Sequence, residues 1–142
     1  MKPVSELLKN RGSSVWRISP EATVFDALQL LAQHDVGALM VMQEDRLLGI
    51  VSERDYTRKI ALQGRDSRHT LVKEVMTPSV LVVKPGTDTR ECMSLMSQRK
   101  ICHLPVVEGD LVVGMISIRD LMDDIIADDE LTIAQLQSYI YG

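Results

Sequence analysis

The chain has 142 residues, 45% of them apolar and 25% charged, with a formal net charge of -4, the balance of a soluble globular domain. An acidic chain of this kind offers no broad basic face for nucleic acid. Neither a bilayer-spanning apolar run nor the apolar segment of a signal peptide is present, so the expectation is a cytoplasmic protein with no membrane contact.

From the N-terminus, Val4 to Leu8 predicts a short helix, and Arg11-Gly-Ser-Ser14 breaks it before a strand over Val15 to Ile18. Ser19 to Thr23 turns the chain. Thr23 then caps a helix whose apolar positions Val24, Ala27, Leu28 and Leu31 fall at i, i+3, i+4 and i+7. Ala38 to Met42 is an unbroken apolar run, short enough for a strand buried on both faces. A turn at Glu44 to Arg46 leads to a strand over Leu47 to Val51 and a helix from about Glu53 to Gln63. Gly64 to Thr70 is polar and aperiodic, and reads as a connector.

The same order then restarts, offset by 65 residues: Pro20 to Tyr56 aligns with Pro85 to Leu121 without a gap, and 10 of the 37 pairs are identical. Both halves should therefore follow β-α-β-β-α. Either half alone would bury a marginal core, which predicts an α+β (α/β) fold of two repeats packed about a pseudo-two-fold axis. The division is a first repeat over 4–63, a linker over 64–71, a second repeat over 72–127 and an extra C-terminal helix over 128–142. On that helix Ile133, Leu136 and Ile140 make an apolar stripe. It either folds back on the body or packs against a second subunit of a homodimer. Cys92 and Cys102 sit among apolar residues outside any CxxC pattern and read as reduced core thiols.

Each half ends its hairpin in the same heptapeptide, Gly49-Ile-Val-Ser-Glu-Arg-Asp55 and Gly114-Met-Ile-Ser-Ile-Arg-Asp120. The glycine lets backbone or a ligand come close to the strand. Ser52 with Asp55, and Ser117 with Asp120, are spaced as capping boxes, a structural use that needs no arginine, no glycine and no repetition. Recurrence of all four residues in one frame points to a shared site.

With Val-Met-Thr-Pro at 75–78, Cys102-His-Leu-Pro-Val-Val107 and Gly-x-x-Ser-x-Arg-Asp closing both halves, the chain resembles a tandem cystathionine-β-synthase (CBS) domain pair, the Bateman module. The resemblance runs from Val4 to about Ile126. Gly37-Ala-Leu-Met-Val41 together with Ser52 to Lys59 is further similar to small stand-alone CBS pairs. That resemblance implies a non-catalytic regulator that binds an adenine nucleotide between the repeats and signals to a separate partner protein. AMP ranks first, ADP or ATP next, and NAD(H) follows because its adenosine half offers the same ribose and base; no metal is implied.

The resemblance also implies roles. Asp55 and Asp120 take the ribose hydroxyls, as acceptor-only groups suited to two O–H donors. Ser52 and Ser117 lie near ribose and phosphate, and Arg54 and Arg119 meet the phosphate. Each adenine slot is shared across the halves: Ile50, Val80, Leu81, Ile101 and Cys102 serve Asp55, while Met115, Val15, Trp16, Val36 and Gly37 serve Asp120. His103 matches a basic phosphate-facing position, whereas its counterpart is Ala38. Arg58 and Lys59 follow Arg54, but Asp123 and Asp124 follow Arg119, so the first site should accept more phosphate charge.

Plainer uses stand beside these. Arg58 and Lys59 read equally as a solvated helix face, His103 as a packed core histidine, and Trp16 as core, base stack or both. His34 and His69 read as surface residues. A ligand-free interaction scaffold would explain the same fold with the heptapeptides as caps only. A nucleotide-metabolising enzyme has less support, because the chain lacks a P-loop, a GxGxxG run, a nucleophile elbow and any metal-ligand spacing among its three histidines.

Overall fold

The computed structural model describes residues 2–11 and 16–128. Val15 and the helix expected beyond residue 128 therefore lie outside the described residues. Helix α1 (Val4–Arg11) precedes β1 (Arg17–Ile18) and α2 (Val24–His34). Thr23 caps α2 as expected: its hydroxyl accepts from the Asp26 N–H while the Asp26 carboxylate accepts from the Thr23 N–H. Strands β2 (Ala38–Gln43) and β3 (Arg46–Ser52) form an antiparallel hairpin, and all five apolar residues from Ala38 to Met42 are buried. The helix that follows is not regular. It begins as α3 (Glu53–Tyr56) and widens into a π turn over Thr57–Ala61. Then come α4 (Val72–Val75), β4 (Thr77–Pro78), α5 (Thr89–Arg99), β5 (His103–Glu108), β6 (Leu111–Ser117) and α6 (Ile118–Asp128).

The halves exchange their leading helices. Val4 and Leu7 of α1 pack with Cys92, Met96, Leu104, Ile116 and Leu121 of the second half, while Val72 and Val75 of α4 pack with Ile18, Leu31, Leu39 and Ile60 of the first. Backbone bonds follow the exchange. Val72 N–H donates to Ala22 O at 2.8 Å and Lys73 N–H to Pro20 O at 3.1 Å, and the pseudo-symmetric pairs are Val4 N–H to Thr87 O and Ser5 N–H to Pro85 O, both 2.9 Å. A third cluster, Ala38, Met40, Met42, Ile50 and Met115, joins the halves. Since each half completes the other, apolar burial couples them.

The sheets are less alike than the sequences. β1-β2-β3-β4 form one sheet and β5-β6 another. The first strand of the second half is reduced to a parallel bridge between Val83 and Val106. The cause is one residue: in the first half Met40 N–H donates to Trp16 O at 3.1 Å, and the position equivalent to Met40 is Pro105, which has no N–H. The heptapeptide glycines serve packing rather than a ligand. A Cβ on Gly49 would lie 2.5 Å from the Thr77 carbonyl oxygen, and one on Gly114 would lie 2.7 Å from Leu8 Cδ2.

Candidate functional site

The end of β3 and the start of α3 deliver Ser52, Arg54 and Asp55 to a cavity of about 490 Å³ whose other wall comes from the second half. Val80, Leu81, Ile101, Cys102 and His103 line that wall, and Ile50 and Gly37 close the near side. The set expected around Asp55 is thus gathered in one place. The apolar residues line one part of the cavity while Arg54 and Asp55 sit at the β3–α3 junction, an arrangement suited to a flat ring with a polar tail. Gly37, expected beside Asp120, lines this cavity together with the residues expected here. A Cβ at Gly37 would lie 3.5 Å from the His103 imidazole, an ordinary van der Waals contact, so the two positions face each other. Cys102 is a correction as a core thiol: it is half-buried in the cavity wall, whereas Cys92 is fully buried.

The capping box expected as the plainer use of Ser52 and Asp55 is formed. Asp55, 7% exposed, accepts on Oδ2 from the Ser52 N–H at 2.9 Å and the Ser52 hydroxyl at 3.0 Å. Its Oδ1 accepts from the Thr77 hydroxyl at 3.2 Å and pairs with Lys59 Nζ at 3.1 Å. Arg54 bridges the halves, donating from Nη1 to Lys100 O at 3.0 Å and lying 3.9 Å from Cys102 Sγ through Nη2. Lys59 does not line the cavity; besides Asp55 it donates to Val75 O at 2.8 Å. Arg58 faces a neighbouring groove with Met93, Ile118 and Met122. Lys59 is thus held beside the cavity rather than on its wall, while Arg58 shares its groove with Arg54, Ile101 and Cys102.

Around the second heptapeptide, Asp120 repeats the cap, accepting from the Ser117 N–H at 2.8 Å and the Ser117 hydroxyl at 3.0 Å. Arg119 is exposed and Val36 is half-buried. Met115 is buried in the cluster between the halves. Trp16 stacks on His34 with ring centroids 3.6 Å apart and 14° between planes, so one face of the indole is occupied and His34 is half-buried rather than a surface residue. His69 is on the surface, with its side chain 82% exposed.

Four cavity residues escaped the sequence reading: Glu53, Thr77, Ser79 and Arg99. Thr77 lies in the Val-Met-Thr-Pro motif at 75–78. Ser79 has φ 54°, a left-handed conformation that serine sequence patterns do not announce. Arg99 ends α5, and only the packing of one half on the other brings it here. Among the described residues, no group of three His, Cys, Asp or Glu side chains is placed to hold a metal ion.

The family model described as CBS domain matches residues 5–62 and 72–127. The chain is 36% identical over 149 residues to the mitochondrial CBS domain-containing protein CBSX3 of Arabidopsis thaliana, an alignment that spans 98% of this chain and 72% of that one. A solved CBS-domain protein from Burkholderia ambifaria MC40-6 superposes with a TM-score of 0.86 at 42% identity, over 89% of this chain and 96% of that one. The CBS domain pair of protein MJ0100, solved in complex with 5'-methylthioadenosine and S-adenosyl-L-methionine, shares the fold at a TM-score of 0.79 and 19% identity, over 90% of this chain and 98% of that one.

Proposed function

The chain belongs to the CBS domain family, and from that premise we propose that it is a non-catalytic sensor whose inter-repeat cavity binds an adenine nucleotide, AMP before ADP, ATP or NAD(H). The observation that carries this reading is the convergence of Asp55 from one half with Val80, Leu81, Ile101 and Cys102 from the other in a single cavity. Its volume of about 490 Å³ falls within the range of small-molecule sites, about 300–1,000 Å³. The apolar slot would take the base, Asp55 the ribose diol, and Arg54 and His103 the phosphate. Adenosine compounds in the MJ0100 pair support the ligand class. Because the wall comes from both halves, occupancy would bias their packing, and a partner protein would respond through different affinity for the two states. The homodimer expected from the terminal stripe is kept as part of this reading.

A second reading is favoured by one observation: every acceptor position of the Asp55 carboxylate is already used within the chain, as a ligand-free scaffold would have it. Thermal unfolding separates the two. A nucleotide at 100 times its Kd adds about 2.7 kcal/mol to the native state, so a dose-dependent rise in Tm with AMP supports the sensor. No rise with AMP, ADP, ATP or NAD supports the scaffold.

A further inference from the structure

The same carboxylate carries a more specific conclusion, which rests on the nucleotide reading. A carboxylate has about four acceptor positions. At Asp55 two are filled by the Ser52 backbone and hydroxyl, which belong to the helix cap, and two by Thr77 and Lys59. An incoming diol brings two O–H donors. The Ser52 N–H is fixed by the β3–α3 junction, so the pair open to exchange is the one on Oδ1. We infer that Lys59 is a latch on this site: it closes the empty carboxylate, is displaced when a diol binds, and thereby sets the affinity.

Lys59 is also placed to register that displacement. It follows Asp55 by one helical turn, where i and i+4 side chains meet, and its ammonium simultaneously holds Val75 O at 2.8 Å. Val75 ends α4, the helix that the second repeat lends to the core of the first. Two residues on, Thr77 pairs with β3 opposite Ile50 and donates to the same Asp55 oxygen. One diol therefore loosens both ties between the carboxylate and the α4–β4 segment. The π turn over Thr57–Ala61 carries Lys59, and such widened turns recur where a helix is adapted for function.

The second half differs at this position. The residue 65 positions after Lys59 is Asp124, which is buried and lies 3.4 Å from Lys2 Nζ. The lysine itself thus distinguishes the first heptapeptide from the second.

Calorimetric titration of the full chain with AMP, for wild type, Lys59→Met and Lys59→Gln, tests this, with urea unfolding of each alongside. The Lys59 side chain is 38% exposed, and ion pairs of that kind are weak, so the variants should bind AMP about two- to fivefold more tightly. Both should also be less stable, because Asp55 loses its cation. Tighter binding in a less stable protein is the signature, since a merely structural lysine would weaken both together. Lys59→Gln keeps a donor and tests the inference if Lys59→Met does not fold. Wild-type binding with equal or weaker binding by the variants overturns the latch alone; no binding by wild type overturns both the latch and the nucleotide reading.

Discussion

Replacing Gly49 with alanine perturbs the fold and the site through one atom. The new Cβ would lie 2.5 Å from Thr77 O and 3.2 Å from Met76 Sδ, against a comfortable carbon–oxygen approach of roughly 3.3 Å. The obstacle is backbone, so β4 must move. That movement strains the Gly49–Pro78 and Ile50–Thr77 pairings and the Thr77 hydrogen bond to Asp55. Overpacking costs about 1–3 kcal/mol, and the weakened hydrogen bond adds about 1 kcal/mol. Restricting the unfolded chain returns about 0.4–1 kcal/mol. The expected net loss is about 1–4 kcal/mol. At Gly114 the neighbour at 2.7 Å is Leu8 Cδ2, the tip of a rotatable side chain, so Gly114→Ala should cost less than about 1 kcal/mol. Urea unfolding of both variants, with m checked for constancy, measures the contrast. Equal losses, or a larger loss at Gly114, would refute the assignment of Gly49 to backbone clearance.

Other consequences can be checked with simple assays. Burial foremost, then the Glu91 and Asp88 carboxylates, pushes the Cys92 thiol up to about 11, whereas Cys102 lines the cavity. Iodoacetamide at pH 8 should therefore modify Cys102 first and Cys92 only on unfolding, as read by intact mass, and AMP should slow the first reaction; preferential labelling of Cys92 would contradict this. Leu39 and Leu104 occupy equivalent, fully buried positions, so each Leu→Ala variant should lose about 2–5 kcal/mol. Because α1 and α4 are exchanged, calorimetry should show one shared transition in both variants, and two separate transitions would argue against mutual completion of the halves.

Much of this was legible in the sequence because its causes are local. The offset of 65 residues, the Thr23 cap and the buried run from Ala38 to Met42 depend on spacing and composition within short windows. The resemblance placed Ile50, Val80, Leu81, Ile101 and Cys102 with Asp55, and the cavity brings them together. What escaped depends on partners distant in the chain. Nothing near Val4 or Val72 says that each helix packs in the other half. That Gly37 also lines the Asp55 cavity is not readable locally, since its neighbour there, His103, is 66 residues away. Lys59 looked like phosphate-facing charge in a helical count, yet a carboxylate one turn away and the Val75 carbonyl hold it. The loss of the second half's first strand was readable in principle, since Pro105 stands where Met40 donates.

The most direct test of the account is calorimetric titration of AMP into the wild-type chain and Asp55→Ala, each first shown to be folded. The account predicts binding by wild type and a loss of about tenfold or more in affinity when the charged acceptor is removed. Identical isotherms for the two proteins would contradict it.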